Sequence, residues 1–146
     1  MSTLFDVAGM VALGGWGMLS VSLFLPDRPR SALAVVTGVL LPASLAFIYV
    51  ALILAAWGAD PDAGFGSISA VRALFADDRL LVAGWLHYLA FDLFAGTWLV
   101  GAGRRAGVPR LLLLACLPLA FLFAPAGWLV GIILITIWRK AWPSIY

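Results

Sequence analysis

The sequence predicts an all-α integral membrane bundle of four transmembrane helices, with a short amphipathic interfacial helix between the second and third. Of the 146 residues, 64% are hydrophobic and only 11% are charged, whereas about a quarter of the residues in a soluble domain are charged. The apolar residues fall into four runs, each long enough to cross about 30 Å of hydrocarbon as a helix. Short segments rich in charge, glycine and proline separate these runs.

The four runs divide a single domain that covers residues 1–146. The predicted spans are about 7–25, 32–57, 80–100 and 111–138. Prolines lie inside two of them, Pro42 in the second and Pro118 and Pro125 in the fourth. Because proline removes one backbone hydrogen bond and clashes with the preceding turn, we expect kinks at these positions.

The connection between spans 2 and 3 has a helical pattern of its own. Ile68, Val71, Leu74 and Phe75 recur at helical spacing, which predicts a short amphipathic helix in the membrane interface. Such a helix either covers the end of the bundle or forms a lid over an opening into it.

Small residues form a stripe along the fourth predicted span. The stripe comprises Ala120, Ala124, Gly127 and Gly131. Gly127 and Gly131 have the GxxxG spacing that lets a second helix approach closely. That helix belongs either to the same chain or to a second copy, so a homo-oligomer formed through these two glycines is one prediction.

The charges predict an orientation and exclude one class of partner. The two loops expected at one membrane face hold five basic residues, Arg28, Arg30, Arg104, Arg105 and Arg110. The other face holds four, Arg72, Arg79, Arg139 and Lys140, together with four aspartates. The positive-inside rule therefore places both termini outside. A net charge of +2 with scattered basic residues does not make a nucleic-acid footprint, and the Arg- and Asp-rich composition suggests a bacterial plasma membrane protein.

The third span carries two ionisable residues that are candidates for a functional site. His87 is the only histidine, and Asp92 is the only carboxylate predicted deep in the membrane. A mid-span aspartate costs about 2.5–3.5 kcal/mol on insertion scales, so it normally faces a partner or a wet cavity. The two residues are about 140° apart around the helix. They line adjacent walls of one cavity, or they make separate hydrogen bonds to other helices, for example to Tyr49.

Aromatic residues surround both groups on the same helix. Asp92 shares its face with Trp85 and Tyr88, while His87 aligns with Phe91 and Phe94. These rings are suited to lining a long apolar ligand. One histidine and one aspartate supply too few ligands for a zinc site, and we expect no metal.

The stretch Trp85-x-His87 followed by Asp92-Leu93-Phe94 resembles the ABA4-like (abscisic acid deficient 4-like) family of small multi-pass membrane proteins. The segment 69–75 before it, and Arg110 and the segment 123–127 after it, resemble the same family. Plant members of the family are required to form neoxanthin, an allenic carotenoid, from the epoxide violaxanthin. The resemblance therefore implies isomerisation of a carotenoid or related isoprenoid lipid.

That chemistry needs one acid, one base and no cofactor. The resemblance implies Asp92 as the acid and His87 as the base, or the reverse. It also implies that Trp85, Tyr88, Phe91, Phe94 and Tyr49 bind the substrate, with membrane lipid as the surroundings. Two other functions remain open from the residues alone, namely a non-catalytic pigment-binding or assembly protein, and a proton or ion pathway through the same two ionisable groups.

Overall fold

The computed structural model describes residues 1–139, and these residues form α-helices and one π-helical segment without any strand. The α-helices are α1 (Ser2–Ser22), α2 (Asp27–Val35), α3 (Leu41–Ala56), α4 (Ile68–Leu74), α5 (Asp78–Arg105), α6 (Arg110–Leu122) and α7 (Ala124–Arg139). The π-helical segment Val36–Leu40 joins α2 to α3 without interruption. Lys140, counted above among the basic residues, lies outside the described part.

Three helices of residues 1–139 are long and apolar enough to cross a membrane, namely α1, the continuous helix Asp27–Ala56, and α5. Large apolar side chains cover their outer surfaces, since Phe47 is 78% exposed and Leu54 is 69% exposed. Soluble monomers rarely carry apolar surface on this scale. The helices and their surface are consistent with a membrane protein.

The fourth predicted span, 111–138, is not one continuous helix. Phe123, at φ −142° and ψ 68°, separates α6 from α7. The two helices have 13 and 16 residues, which corresponds to about 20 and 24 Å. Pro125 is tolerated in the first turn of α7, but it has no N–H to donate to the carbonyl of Phe121, which disfavours a continuation of α6. Pro118, by contrast, lies inside α6. Two shorter apolar helices therefore stand where a fourth span was expected.

The break also divides the predicted stripe of small residues. A Cβ atom added to Gly127 would overlap the backbone of Ala120, although seven residues of continuous helix extend about 10.5 Å. The chain therefore bends sharply at Phe123. Gly131 lies equally close to Leu99 of α5. Both glycines thus contact helices of their own chain, and a homo-oligomer through them stays a prediction.

The second long helix begins at Asp27, earlier than its predicted start near residue 32. Pro26 is the N-cap and Pro29 lies in the first turn, where a missing N–H does no harm. The wide π turn directly precedes Pro42 and accommodates the carbonyl that this proline cannot bond. At Gly38 an added Cβ would lie 3.0 Å from Thr97 Cγ2, so the absence of a side chain lets α5 approach closely.

Helix α5 is the centre of the bundle and packs against α1, α3, α6 and α7. One buried cluster gathers around Trp16, Leu93 and Leu113, and a second gathers around Ala12, Leu45 and Leu86. The predicted short helix between spans 2 and 3 is present as α4, capped by the Ser67 hydroxyl, which accepts a hydrogen bond from the N–H of Ala70. The fold therefore presents two opposite faces of α5 to different neighbours.

Candidate functional site

A shallow groove runs between the antiparallel helices α3 and α5. Its inner part is a cavity of about 280 Å³, and its middle is the contact between the rings of Tyr49 and His87. We refer to it as the α3–α5 groove, lined by Pro42, Ala43, Ala46, Tyr49, His87, Ala90, Phe91 and Phe94. The lining residues recur every three or four positions on each helix, so they form one continuous stripe.

A larger cavity of about 710 Å³ lies at one end of the bundle and shares Tyr49 with the groove. We refer to this as the α4 cavity. It is lined by the end of α3, the following loop, α4 and the start of α5, with Tyr49, Ile53, Trp57, Phe65, Leu74 and Leu80 as its main apolar walls. From Pro42 to Ala56, α3 extends about 21 Å. Groove and cavity together therefore offer an extended apolar path that ends near a polar loop.

Arg79 forms several hydrogen bonds beside the α4 cavity. Arg79 donates to the carbonyl of Ala55 at 3.0 Å and to both carboxylate oxygens of Asp77, at 3.0 and 2.5 Å. The Arg79 guanidinium and the backbone N–H of Arg79 together lower the pKa of Asp77 to about 2. These bonds fasten the start of α5 to the end of α3. This pair was not predicted from the sequence, although an aspartate two residues before an arginine at a helix start is a capping signal.

His87 lies on the groove side of α5 and is exposed. Its ring centroid is 5.7 Å from that of Tyr49 and 4.8 Å from that of Phe91. The side chain of His87 makes no hydrogen bond within residues 1–139. The imidazole is therefore available to a ligand lying along the α3–α5 groove.

Asp92 lies on a different face of α5, beside the break between α6 and α7. It lines a small cavity of about 10 Å³ with Gly96, Leu99, Ala120, Ala124 and Trp128, which is about the space of one water molecule. Its Oδ2 atom is buried without a hydrogen-bond partner in the described part of the chain. The structure therefore does not bring Asp92 and His87 into one cavity.

Two of the predicted substrate-binding aromatics also lie away from the groove. Trp85 stacks on Tyr88 at 5.8 Å and on Phe5 of α1 at 5.1 Å. With Phe75 and Asp78 they line a separate cavity of about 570 Å³. Of the five predicted residues, the structure thus brings Tyr49, Phe91 and Phe94 together with His87, and it places Trp85 and Tyr88 elsewhere.

No group of three or more His, Cys, Asp or Glu residues that could hold a metal ion occurs within residues 1–139. Cys116 is buried and unpaired in this range. The chemistry available on the groove therefore comes from an imidazole and a phenol.

A family model described as ABA DEFICIENT 4-like matches residues 3–130 of the chain. The match includes the groove, the α4 cavity, Asp92 and the break at Phe123. No curated protein and no solved structure matches the chain.

Proposed function

Because the chain belongs to the ABA4-like family, we propose that it is a multi-pass protein of a bacterial plasma membrane that binds a carotenoid or related isoprenoid lipid and isomerises it. The ligand lies in the α3–α5 groove, with its polar end group in the α4 cavity. The position of His87 carries this proposal, because the only imidazole of the chain stands exposed halfway along an aromatic groove.

The groove matches the shape and polarity of such a ligand. A polyene is long, rigid and apolar, and the faces of Phe91, Phe94 and Tyr49 offer it flat contacts. The opening between α3 and α5 faces the side of the bundle, so a ligand enters directly from the bilayer. The polar loop around Asp60, which also lines the α4 cavity, suits a hydroxyl or epoxide group at the end of the ligand.

The proposed reaction converts an epoxide end group into an allenic alcohol. One proton is delivered to the epoxide oxygen as its C–O bond breaks, and one proton is removed from the neighbouring polyene carbon, so substrate and product are isomers. His87 is the base, and the hydroxyl of Tyr49 is the adjacent acid on the groove. The assignment of Asp92 as the acid stays a prediction. It requires the ligand to reach the other face of α5.

A second candidate function is non-catalytic binding of the same ligand class. The separation of His87 from Asp92 favours it, because the imidazole on the groove then has no carboxylate beside it. In this case His87 donates a hydrogen bond to a polar group of the pigment and takes no part in proton transfer.

The experiment begins with purification of the protein in mild detergent and identification of the lipophilic molecules that copurify, by mass spectrometry and absorption. The purified protein is then supplied with an epoxy-carotenoid and with the same polyene lacking the epoxide. We expect both polyenes to bind and only the epoxide to be converted to an allenic isomer.

The decisive variants are His87→Phe and, as a control, Phe47→Ala. Phenylalanine retains ring contacts with Tyr49 and Phe91 but cannot transfer a proton, so binding persists while conversion stops. Phe47 is exposed on the same helix as Tyr49, outside the groove, and its loss leaves both unchanged. A polyene that binds and is never converted by the wild-type protein supports the second function, and full conversion by His87→Phe removes His87 from the mechanism.

A further inference from the structure

A polar cavity lies between α1, α2 and α5, at the end of α5 away from the α4 cavity. It has a volume of about 370 Å³, and Arg30, Arg104 and Arg105 all line it. We refer to it as the arginine cavity. Its other lining residues include the hydroxyl side chains Ser22, Ser31 and Thr97 and the apolar Leu19, Ala34 and Val100.

At this end of the bundle, basic side chains greatly outnumber acidic ones. Arg28 and Arg110 join the three cavity arginines, while Asp27 is the only acidic residue between Asp6 and Asp60. Asp27 forms an ion pair with Arg30, and its own side chain is 87% exposed. Arg104 and Arg105 form no ion pair within residues 1–139, so two of the three cavity arginines have no carboxylate partner there.

Most of the guanidinium donors in the cavity are unused. Arg104 donates one N–H to the carbonyl of Leu23 at 2.9 Å, and a guanidinium carries five donors. Arg30 donates to Asp27, and within residues 1–139 the side chain of Arg105 makes no hydrogen bond. The remaining donors of the three guanidinium groups can bind an anion with several oxygens.

We propose that the arginine cavity binds the phosphate group of an anionic phospholipid. Arginine matches phosphate oxygens with a planar pair of donors, and basic pockets between transmembrane helices at the cytoplasmic face bind such headgroups. Val21 of α1 and Val35 of α2 are 56% and 53% exposed. They lie on two of the helices that form the cavity and offer apolar surface to the acyl chains. This surface favours a lipid over free phosphate as the source of the anion.

This inference rests on membrane insertion but not on any activity towards carotenoids. The positive-inside rule places the same end at the cytoplasmic face, where anionic lipids are concentrated. The bound lipid stabilises the bundle because its phosphate relieves the repulsion among the arginines and links α2 to α5.

The test measures thermal unfolding of the detergent-solubilised full chain with three additives, namely short-chain phosphatidylglycerol, short-chain phosphatidylcholine and inorganic phosphate. We expect phosphatidylglycerol alone to raise the midpoint, by about 3 °C or more at saturation. Arg30→Gln combined with Arg105→Gln should weaken the apparent affinity by roughly tenfold or more. The control, Arg72→Gln in α4 at the opposite end of α5, should respond as the wild type does.

Three outcomes overturn the proposal. Equal stabilisation by phosphatidylcholine shows that the headgroup charge is not recognised. An unchanged response of the Arg30/Arg105 double variant moves the site elsewhere. Inorganic phosphate that matches phosphatidylglycerol identifies free phosphate, rather than lipid, as the ligand. Should the double variant not fold, Arg105→Gln alone repeats the test, because the side chain of Arg105 makes no hydrogen bond within the described part of the chain.

Discussion

The rings of Tyr49 and His87 meet across α3 and α5, with their centroids 5.7 Å apart and their planes at 48°. Tyr49 also lines the α4 cavity, so this contact lies between that cavity and the inner part of the α3–α5 groove. The only imidazole of the chain therefore has a phenol as its neighbour at the midpoint of the proposed ligand path.

Replacing Tyr49 by Phe tests whether this phenol transfers a proton. The ring contact with His87 is kept, so ligand binding should be unchanged. Loss of a general acid typically lowers the rate by about 10² to 10⁴, and we expect a decrease of this size in conversion of the epoxide. The measurement is single-turnover conversion, followed by chromatography, alongside ligand binding by absorption.

Tyr88→Phe is the control for this experiment. Tyr88 lies on the other face of α5, stacked against Trp85, and its hydroxyl is remote from the groove. The two variants differ only in the face on which a hydroxyl is lost. Equal losses of activity in both would show that the groove is not the reaction site.

Replacing Asp92 by Ala tests the buried carboxylate oxygen on α5. A buried polar atom without a partner is costly, by about 1–3 kcal/mol, and Asp92 Oδ2 has none in the described residues. We expect the Ala variant to raise the free energy of unfolding by about 1 kcal/mol, with some of the gain offset by the enlarged cavity. Thermal or denaturant unfolding in detergent measures this change.

Asp6→Ala, at an exposed position of α1, is the matched control and should change stability by less than about 0.5 kcal/mol. A decrease in stability on replacing Asp92 would mean that its carboxylate has a favourable partner. The same variant, assayed for conversion, decides whether Asp92 also acts in the reaction. If the Asp92→Ala variant still converts the ligand, residues of the α3–α5 groove carry out the proton transfer without Asp92.

The sequence predicted the long helices well, because hydropathy and length alone determine which segments can cross a bilayer. The predicted start of the second helix, near residue 32, was too late, because Pro26 and Pro29 lie in a charged segment that resembles a connection between helices. Both in fact lie at a helix N-terminus, where proline costs no hydrogen bond. Hydropathy also could not reveal the break at Phe123, because both halves of the run are apolar.

The division of the candidate site could be predicted only in part. The period of 100° per residue correctly separated the face of Asp92 and Trp85 from the face of His87 and Phe91. Which helix covers each face depends on tertiary packing that periodicity does not contain. For that reason α3 beside His87, and the α6–α7 break beside Asp92, emerged only from the structure.

Replacing Gly127 by Ala tests the sharp bend between α6 and α7. The new methyl group would overlap the backbone of Ala120, which cannot move without shifting the whole of α6. We expect a loss of about 1–3 kcal/mol in the free energy of unfolding. Gly14→Ala on α1 is the control, because nothing lies within 4 Å of its added Cβ, and it should be neutral or stabilising. Equal behaviour of the two variants would argue against the bend.

The pH dependence of stability tests the link between Asp77 and Arg79. The pKa of Asp77 is lowered to about 2, chiefly by the side-chain hydrogen bond from Arg79, while an aspartate in an unfolded chain titrates near 3.9. A carboxyl group with a depressed folded pKa contributes stability above its unfolded pKa. That contribution disappears as the pH falls through the folded value.

The wild-type protein should therefore lose stability between about pH 4 and pH 2 relative to Asp77→Asn, and the two should converge near pH 2. Asp62→Asn is the control, since the side chain of Asp62 is exposed and makes no hydrogen bond within residues 1–139. It should follow the wild-type curve. Denaturant unfolding in detergent across this pH range provides the measurement, and a constant difference between wild type and Asp77→Asn down to pH 2 would contradict the ion pair. Because Arg79 also donates to Ala55, breaking the pair should loosen the mouth of the α4 cavity as well.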